Sequence, residues 1–115
     1  MKNQTLIDTI NTLREASENS GKAIWKALAD ELDTAKRKRV VVNLSRIDRH
    51  TEKDEYVAVP GKVLAAGNLS KPVNIAAFGF SEGAIEKIKL AKGHYMTFKD
   101  LLDSGVEPSK IRIMK

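Results

Sequence analysis

The sequence contains no cysteine and only two histidines among its 115 residues. The lack of cysteine excludes a disulfide scaffold, a cysteine-based zinc or iron–sulfur site and a cysteine nucleophile. No stretch approaches the 18 or so consecutive apolar residues that a membrane-spanning helix needs. The N-terminal Met1–Thr5 segment is not followed by the apolar core of a signal peptide, so we expect no such leader.

The composition that remains is that of a soluble globular protein. Hydrophobic residues make up 42% of the chain and charged residues 30%, a balance that is neither disordered nor low in complexity. The length predicts one domain with a real core. Within it we expect N-terminal helices over 1–33, a basic segment over 34–55 and an α/β core over 56–115.

The positive charge is concentrated in one part of the chain. The formal net charge is +5, from 20 basic and 15 acidic side chains. Residues 35–50 carry six of the basic side chains and one acid, Asp48, which also gives +5, and the rest of the chain therefore sums to zero. A neutral body with one basic segment indicates a localised contact with a polyanion. The six basic residues are Lys36, Arg37, Lys38, Arg39, Arg46 and Arg49.

Two helices are predicted in the first third of the chain. Leu6, Ile10 and Leu13 recur at helical spacing over 5–17, and a second apolar stripe runs over 22–33. Gly21 can take the positive φ that ends the first helix. The short connection predicts an antiparallel helical pair, with Trp25 as a core residue.

After residue 55 the pattern changes to short strands that alternate with helices. We predict a strand at 56–59 that stops at Pro60-Gly61, a second apolar piece at 63–64, and strands at 73–78, 94–96 and 111–113. Helices are predicted at 81–92 and from Thr97, which has capping-box spacing to Asp100. The fold class is therefore α/β, with a small, mostly parallel sheet.

The basic segment contains a predicted short helix over 43–50. Asn43 can cap its start, and Leu44 and Ile47 would face inward. Arg46 and Arg49 are three residues apart and share the opposite face, with His50 four residues after Arg46.

No pattern for catalysis or for a cofactor can be assembled. His50 lies in the basic segment, where contact with a phosphate or base is favoured over metal ligation, and His94 is interpreted as an ordinary, partly buried side chain. Two histidines without cysteine make no convincing zinc site. Gly61-Lys62 lacks the rest of a Walker A motif, and Gly79–Gly83 lacks a dinucleotide fingerprint, so its glycines are interpreted as turn and cap residues. We expect no enzyme, no metal and no cofactor.

Binding of folded RNA through its shape and backbone fits the basic segment best. Arginine binds phosphate bidentately and lysine acts as a point charge. Six such contacts predict a slope of about −4 to −5 in a plot of log affinity against log salt. No zinc finger, zipper or aromatic RNA-binding pattern is present, and Phe78 and Phe80 are interpreted as packing residues. A small nucleotide-binding module at Gly79–Gly83 and a protein-interaction domain remain as alternatives.

Four motifs in register carry a resemblance to a known family. They are Ile24-Trp25, Val42–Ile47 after the basic run, Val59–Leu64 followed by Gly67, and Ala77–Ser81 before a helix. With them, essentially the whole chain resembles the archaeal and eukaryotic large-subunit ribosomal protein eighteen-e family, which is related to bacterial large-subunit ribosomal protein fifteen.

The resemblance implies a fold of irregular β-β-α turns preceded by N-terminal helices. It also implies a structural role in the cytoplasmic large ribosomal subunit, where the protein would support translation as part of a ribonucleoprotein. Its partners would be large-subunit ribosomal RNA and neighbouring ribosomal proteins, without membrane or small-molecule substrate. The expected RNA-binding residues combine the charge pattern with the matched motifs: Lys36, Arg37, Lys38, Arg39, Asn43, Arg46, Arg49, His50 and Lys62.

Overall fold

A computed structural model describes residues 4–34 and 40–115. Five helices and five strands follow one another along these ranges, with a 3₁₀ turn at Pro108–Lys110. The helices are α1 (Gln4–Ser20), α2 (Ala23–Thr34), α3 (Leu44–His50), α4 (Glu82–Leu90) and α5 (Phe98–Asp103). The strands are β1 (Val40–Asn43), β2 (Tyr56–Leu64), β3 (Asn74–Phe80), β4 (His94–Met96) and β5 (Ile111–Ile113).

The five strands form one parallel sheet in the order β1-β2-β3-β4, with β5 also paired to β2. β5 pairs with residues 56–58 of β2 and β1 with residues 61–64, so the two short strands lie end to end along one edge of β2. The predicted α/β class and the parallel sheet are confirmed.

The prediction that a strand stops at Pro60-Gly61 is wrong, because β2 continues through this dipeptide to Leu64. The register between β2 and β3 shifts between Val59 and Lys62. Pro60 lies in this irregular stretch and pairs with neither neighbouring strand, so its missing N–H leaves no ladder bond unmade. Pro60-Gly61, which the sequence marks as a turn, therefore lies at an irregularity within one long strand.

Helices cover both faces of the sheet. On one face α3 and α4 pack on the side chains of β2 and β3 that include Val57, Val59 and Ile75. On the other face α1, α2 and α5 pack on a second cluster that includes Ala58 and Ala76. This alternation follows from the two-residue period of a strand, and it gives the small chain two apolar layers to bury.

The predicted helical pair is present, and α1 and α2 pack closely. Gly21 between them takes a φ of 71°, and Trp25 is buried in the second cluster. The predicted capping box at the start of α5 is present, with Thr97 and Asp100 each accepting a hydrogen bond from the other's backbone N–H.

Three smaller predictions are corrected. His94 is exposed rather than partly buried. Gly79 lies within β3 and Gly83 within the first turn of α4, so neither is a turn or cap residue, and Ser81 caps α4 instead.

Candidate nucleic-acid interface

Strand β1 and helix α3 form a continuous β–α unit at the edge of the sheet. Asn43 occupies the N-cap position of α3, but its side chain makes no capping hydrogen bond, so the prediction that it caps the helix is wrong for its side chain. The fixed position of α3 comes from burial instead, because Leu44 and Ile47 are both fully buried in the core that covers the sheet.

The opposite face of α3 is cationic and open. Arg46, Arg49 and His50 are exposed. None of the three makes a hydrogen bond or salt bridge to any part of the chain between residues 4–34 or 40–115. The two guanidinium groups are therefore available to a partner, on a helix whose other side is anchored in the core.

Asp48, the only acid within residues 35–50, is held by contacts with Ser70 and Lys71. Its carboxylate accepts hydrogen bonds from the backbone N–H of Ser70 at 2.9 Å and from the Ser70 hydroxyl at 2.8 Å. Lys71 Nζ lies 3.3 Å from the same carboxylate and donates to the Asp48 carbonyl at 2.7 Å. The Ser70 N–H and hydroxyl, together with the Lys71 ammonium, lower the pKa of Asp48 from its ordinary value.

Replacing this carboxylate is expected to destabilise the α3 region. Asp48→Asn should lower the free energy of unfolding by about 1–2 kcal/mol at pH 7, because hydrogen bonds to a charged acceptor are lost. The folded pKa lies below the unfolded one, so the stabilisation is present above about pH 4 and is lost as pH falls through the folded pKa. Urea unfolding of both proteins from pH 7 to pH 2.5 measures this difference.

Asp103→Asn is the matched control, since Asp103 is exposed. It should leave the free energy of unfolding at pH 7 nearly unchanged. Equal stability of Asp48→Asn and the unaltered chain at pH 7 would show that the Ser70 contacts contribute nothing.

Lys62 of β2 is exposed and pairs with Val41 of β1, without a hydrogen bond or salt bridge to the described residues. Their neighbours Val42 and Val63 face the core beneath α3, so Lys62 and Val41 lie on the opposite face of the sheet. Val41 itself is 51% exposed, so this end of the sheet is open beside β1.

A loop between β2 and β3 fixes the start of α3. Gly67 has a φ of 85°, and a Cβ there would lie 2.9 Å from the Cα of Ser45. The Ser45 N–H donates to the carbonyl of Ala66 at 3.1 Å. Lys87 of α4 donates to the carbonyls of Ala65 at 2.8 Å and Gly67 at 2.6 Å. Gly67 thus belongs to the scaffold that positions α3.

Arg112 of β5 is a neighbour of this surface that sequence reasoning missed. It lines an open, mostly polar depression together with Arg49 and His50. Its guanidinium pairs with Glu55 at 3.3 Å. The pairing of β5 with β2 brings it close to α3, and no local pattern in the sequence signals that pairing.

The run Lys36–Arg39 lies outside the described residues. In sequence it is followed directly by Val40, the first residue of β1. Of the predicted residues that are described, the structure brings Arg46, Arg49 and His50 together on α3. Asn43 lies at the junction of β1 and α3, and Lys62 on the adjacent strand.

No described helix has both the length and the apolar character needed to cross a membrane. Over residues 4–34 and 40–115, no group of three or more His, Asp or Glu side chains is placed to hold a metal ion.

The fold and this surface define a small α/β protein that has a parallel sheet and an exposed cationic β–α unit at its edge. The family model described as "Ribosomal proteins 50S-L15, 50S-L18e, 60S-L27A" matches residues 22–96, well over half of the chain. The chain therefore belongs to this family, and the predicted resemblance is confirmed.

Curated relatives extend the similarity to nearly the whole chain. The "Large ribosomal subunit protein eL18" of Methanothermobacter thermautotrophicus is 41% identical over 113 residues, which cover 98% of this chain and 93% of the relative. The protein of the same name from Methanoregula boonei is 42% identical over equal coverage. That of Archaeoglobus fulgidus is 38% identical over 97% of this chain and 96% of the relative.

Proposed function

We propose that this protein is a structural, non-catalytic component of the cytoplasmic large ribosomal subunit that binds ribosomal RNA through residues 36–50 and Lys62. Its relatives are named large ribosomal subunit proteins, which supports the role in the subunit. One observation carries the binding site: α3 is anchored through its buried face and displays Arg46 and Arg49 without acidic partners in the described structure.

The electrostatics of this surface suit the phosphates of a nucleic-acid backbone. A guanidinium can form two parallel hydrogen bonds with a phosphate, and Arg46 and Arg49 are one helical turn apart. Asp48 does not oppose them, because its carboxylate is engaged by Ser70 and Lys71. The Lys36–Arg39 run precedes β1 in sequence and Lys62 lies opposite Val41 of that strand, so these cationic groups would follow a backbone rather than read base edges.

The alternative of a nucleotide-binding module at Gly79–Gly83 finds less support. The start of α4 is already capped by the Ser81 hydroxyl, which accepts from the Ala84 N–H at 3.2 Å. Glu82 occupies the first turn, where its carboxylate would repel a pyrophosphate.

Cross-linking of the full chain to purified large-subunit ribosomal RNA with ultraviolet light tests the proposed site. Cleavage after glutamate releases residues 36–50 within one peptide, Leu32–Glu52. We expect nucleotide adducts on this peptide, and we expect them to decline as salt is raised, because salt weakens phosphate contacts. The N-terminal peptide Met1–Glu15, which includes Arg14 of α1, is an internal control that should carry none.

Adducts found only outside Leu32–Glu52 would refute the site while leaving RNA binding intact. No adducts at all, together with no retention of the RNA by the protein at low salt, would refute the proposed function itself.

A further inference from the structure

A second exposed cluster lies at the corner of α4 and β4. Tyr95 of β4 is 41% exposed. Its ring makes an edge-to-face contact with Phe80, with centroids 5.6 Å apart and an interplanar angle of 68°. Lys89 Nζ lies 5.8 Å from the centroid of the same ring, within the range of a cation–π contact.

The fold holds this ring at the surface instead of burying it. β4 is the last strand of the sheet path and pairs only with β3, where Tyr95 lies opposite Ile75. Phe80 is partly buried and packs against the core cluster beneath α4. A ring supported from one side by a core aromatic is rigid and loses little conformational entropy when it binds a partner.

The surroundings of Tyr95 are positively charged. Lys89 and Lys92 are exposed, and neither makes a salt bridge within residues 4–34 and 40–115. Glu86 is the only acid between positions 83 and 99. Lys92 adopts a φ of 63°, a left-handed conformation that is uncommon for a residue other than glycine.

These features distinguish the corner from the surface around α3. Residues 36–50 hold no Phe, Tyr or Trp, so the imidazole of His50 is the one ring in that range. The corner combines an exposed ring with two lysine ammonium groups that make no salt bridge within residues 4–34 and 40–115, which is the chemistry that binds unpaired nucleotides. β1 and β4 are at opposite ends of the sheet path, so the two surfaces are separate.

We propose that the α4–β4 corner is a second RNA contact, in which an unpaired base stacks on Tyr95 while Lys89 and Lys92 meet the flanking phosphates. This inference rests on the proposed function in that the partner is RNA, but it assigns a different site and a different kind of RNA. With both surfaces engaged, the protein would bridge a folded RNA backbone and a nearby unpaired nucleotide.

Binding of the full chain to a fluorescein-labelled oligouridylate of about 12 nucleotides tests the corner, because base stacking is tolerant of sequence. Tyr95→Ala should weaken binding by about fivefold or more, since a stacked base contributes roughly that much or more. Tyr95→Phe keeps the ring and should stay within twofold. Lys89→Glu combined with Lys92→Glu should weaken binding and reduce the log–log salt slope by about 1.4.

Leu90→Ser is the control for a general apolar contact at this corner, because Leu90 is 83% exposed there and offers no ring for stacking. We expect it to leave oligouridylate binding within twofold. Unchanged binding by Tyr95→Ala, or an equal loss in Leu90→Ser and Tyr95→Ala, would overturn the proposal.

The cross-linking experiment tests this inference independently of the proposed function. The corner lies in a different glutamate-bounded peptide, Lys87–Glu107. Adducts on Leu32–Glu52 without any on Lys87–Glu107 would leave the proposed function standing and overturn the second contact.

Discussion

Gly61→Ala is expected to lower the free energy of unfolding by about 3 kcal/mol or more, the range of severe overpacking. A Cβ at position 61 would lie 2.8 Å from the carbonyl carbon of Val40 and would also meet its oxygen. Both are backbone atoms of the paired strand β1, so no side-chain rotation relieves the clash. The remaining response is to push β1 away from β2, which disturbs the attachment of α3.

Gly79→Ala is the matched control, because Gly79 is also a strand glycine of the same sheet and lies opposite Lys62. A Cβ there would meet nothing closer than the Lys62 Cγ at 4.0 Å. This variant should be within about 1 kcal/mol of the unaltered chain, since alanine reduces the entropy of the unfolded state. Urea unfolding of the three proteins measures both values. Similar stability of Gly61→Ala and Gly79→Ala would show that β1 does not approach β2 as closely as described.

The parts of the fold that could be predicted from the sequence are those with local, periodic signals. The apolar spacing of Leu6, Ile10 and Leu13 was sufficient for α1, and these residues are buried. The same reasoning separated the inward Leu44 and Ile47 of α3 from its outward arginines. Such predictions succeed because burial within a helix depends on spacing along the chain.

The continuity of β2 could not be predicted, because it depends on partners far away in sequence. Pro60-Gly61 is a turn signal by local chemistry. In the sheet, Gly61 is the residue that lets Val40 approach. The partners of Asp48 are likewise 22 and 23 residues away, at Ser70 and Lys71. Contacts of this kind come from the arrangement of elements in space.

The α4–β4 corner was missed for a related reason. Outside residues 35–50 the basic and acidic side chains sum to zero, which suggested a neutral body. That sum runs over the sequence, and it does not describe the surface. Lys89 and Lys92 share a corner with Tyr95, and most of the balancing acids lie elsewhere.

The double reversal Arg46→Glu with Arg49→Glu is expected to weaken binding to large-subunit ribosomal RNA at least 100-fold at low salt. Each arginine would lose a charge-assisted hydrogen bond of about 1.5 kcal/mol or more, and the new carboxylates would repel phosphate. The fold should be unaffected, because both side chains are exposed and make no hydrogen bond or salt bridge to residues 4–34 or 40–115. An unchanged thermal midpoint checks this.

Lys99→Glu with Lys110→Glu is the control of equal charge. Both pairs of substitutions change the net charge by −4, from +5 to +1. Lys99 and Lys110 are exposed. Lys99 belongs to α5, on the face of the sheet opposite α3. A general effect of net charge would weaken both variants alike, whereas a contact at α3 should weaken the first far more.

The most direct measurement is the affinity of these three proteins for large-subunit ribosomal RNA across a range of salt concentrations. For six phosphate contacts, the unaltered chain should show a log–log slope of about −4 to −5. Arg46→Glu with Arg49→Glu should reduce the size of that slope by about 1.4 to 1.8, in addition to the loss of affinity. The control should keep the slope of the unaltered chain. An arginine variant that binds with the same affinity and slope as the control would contradict the assignment of the interface to α3.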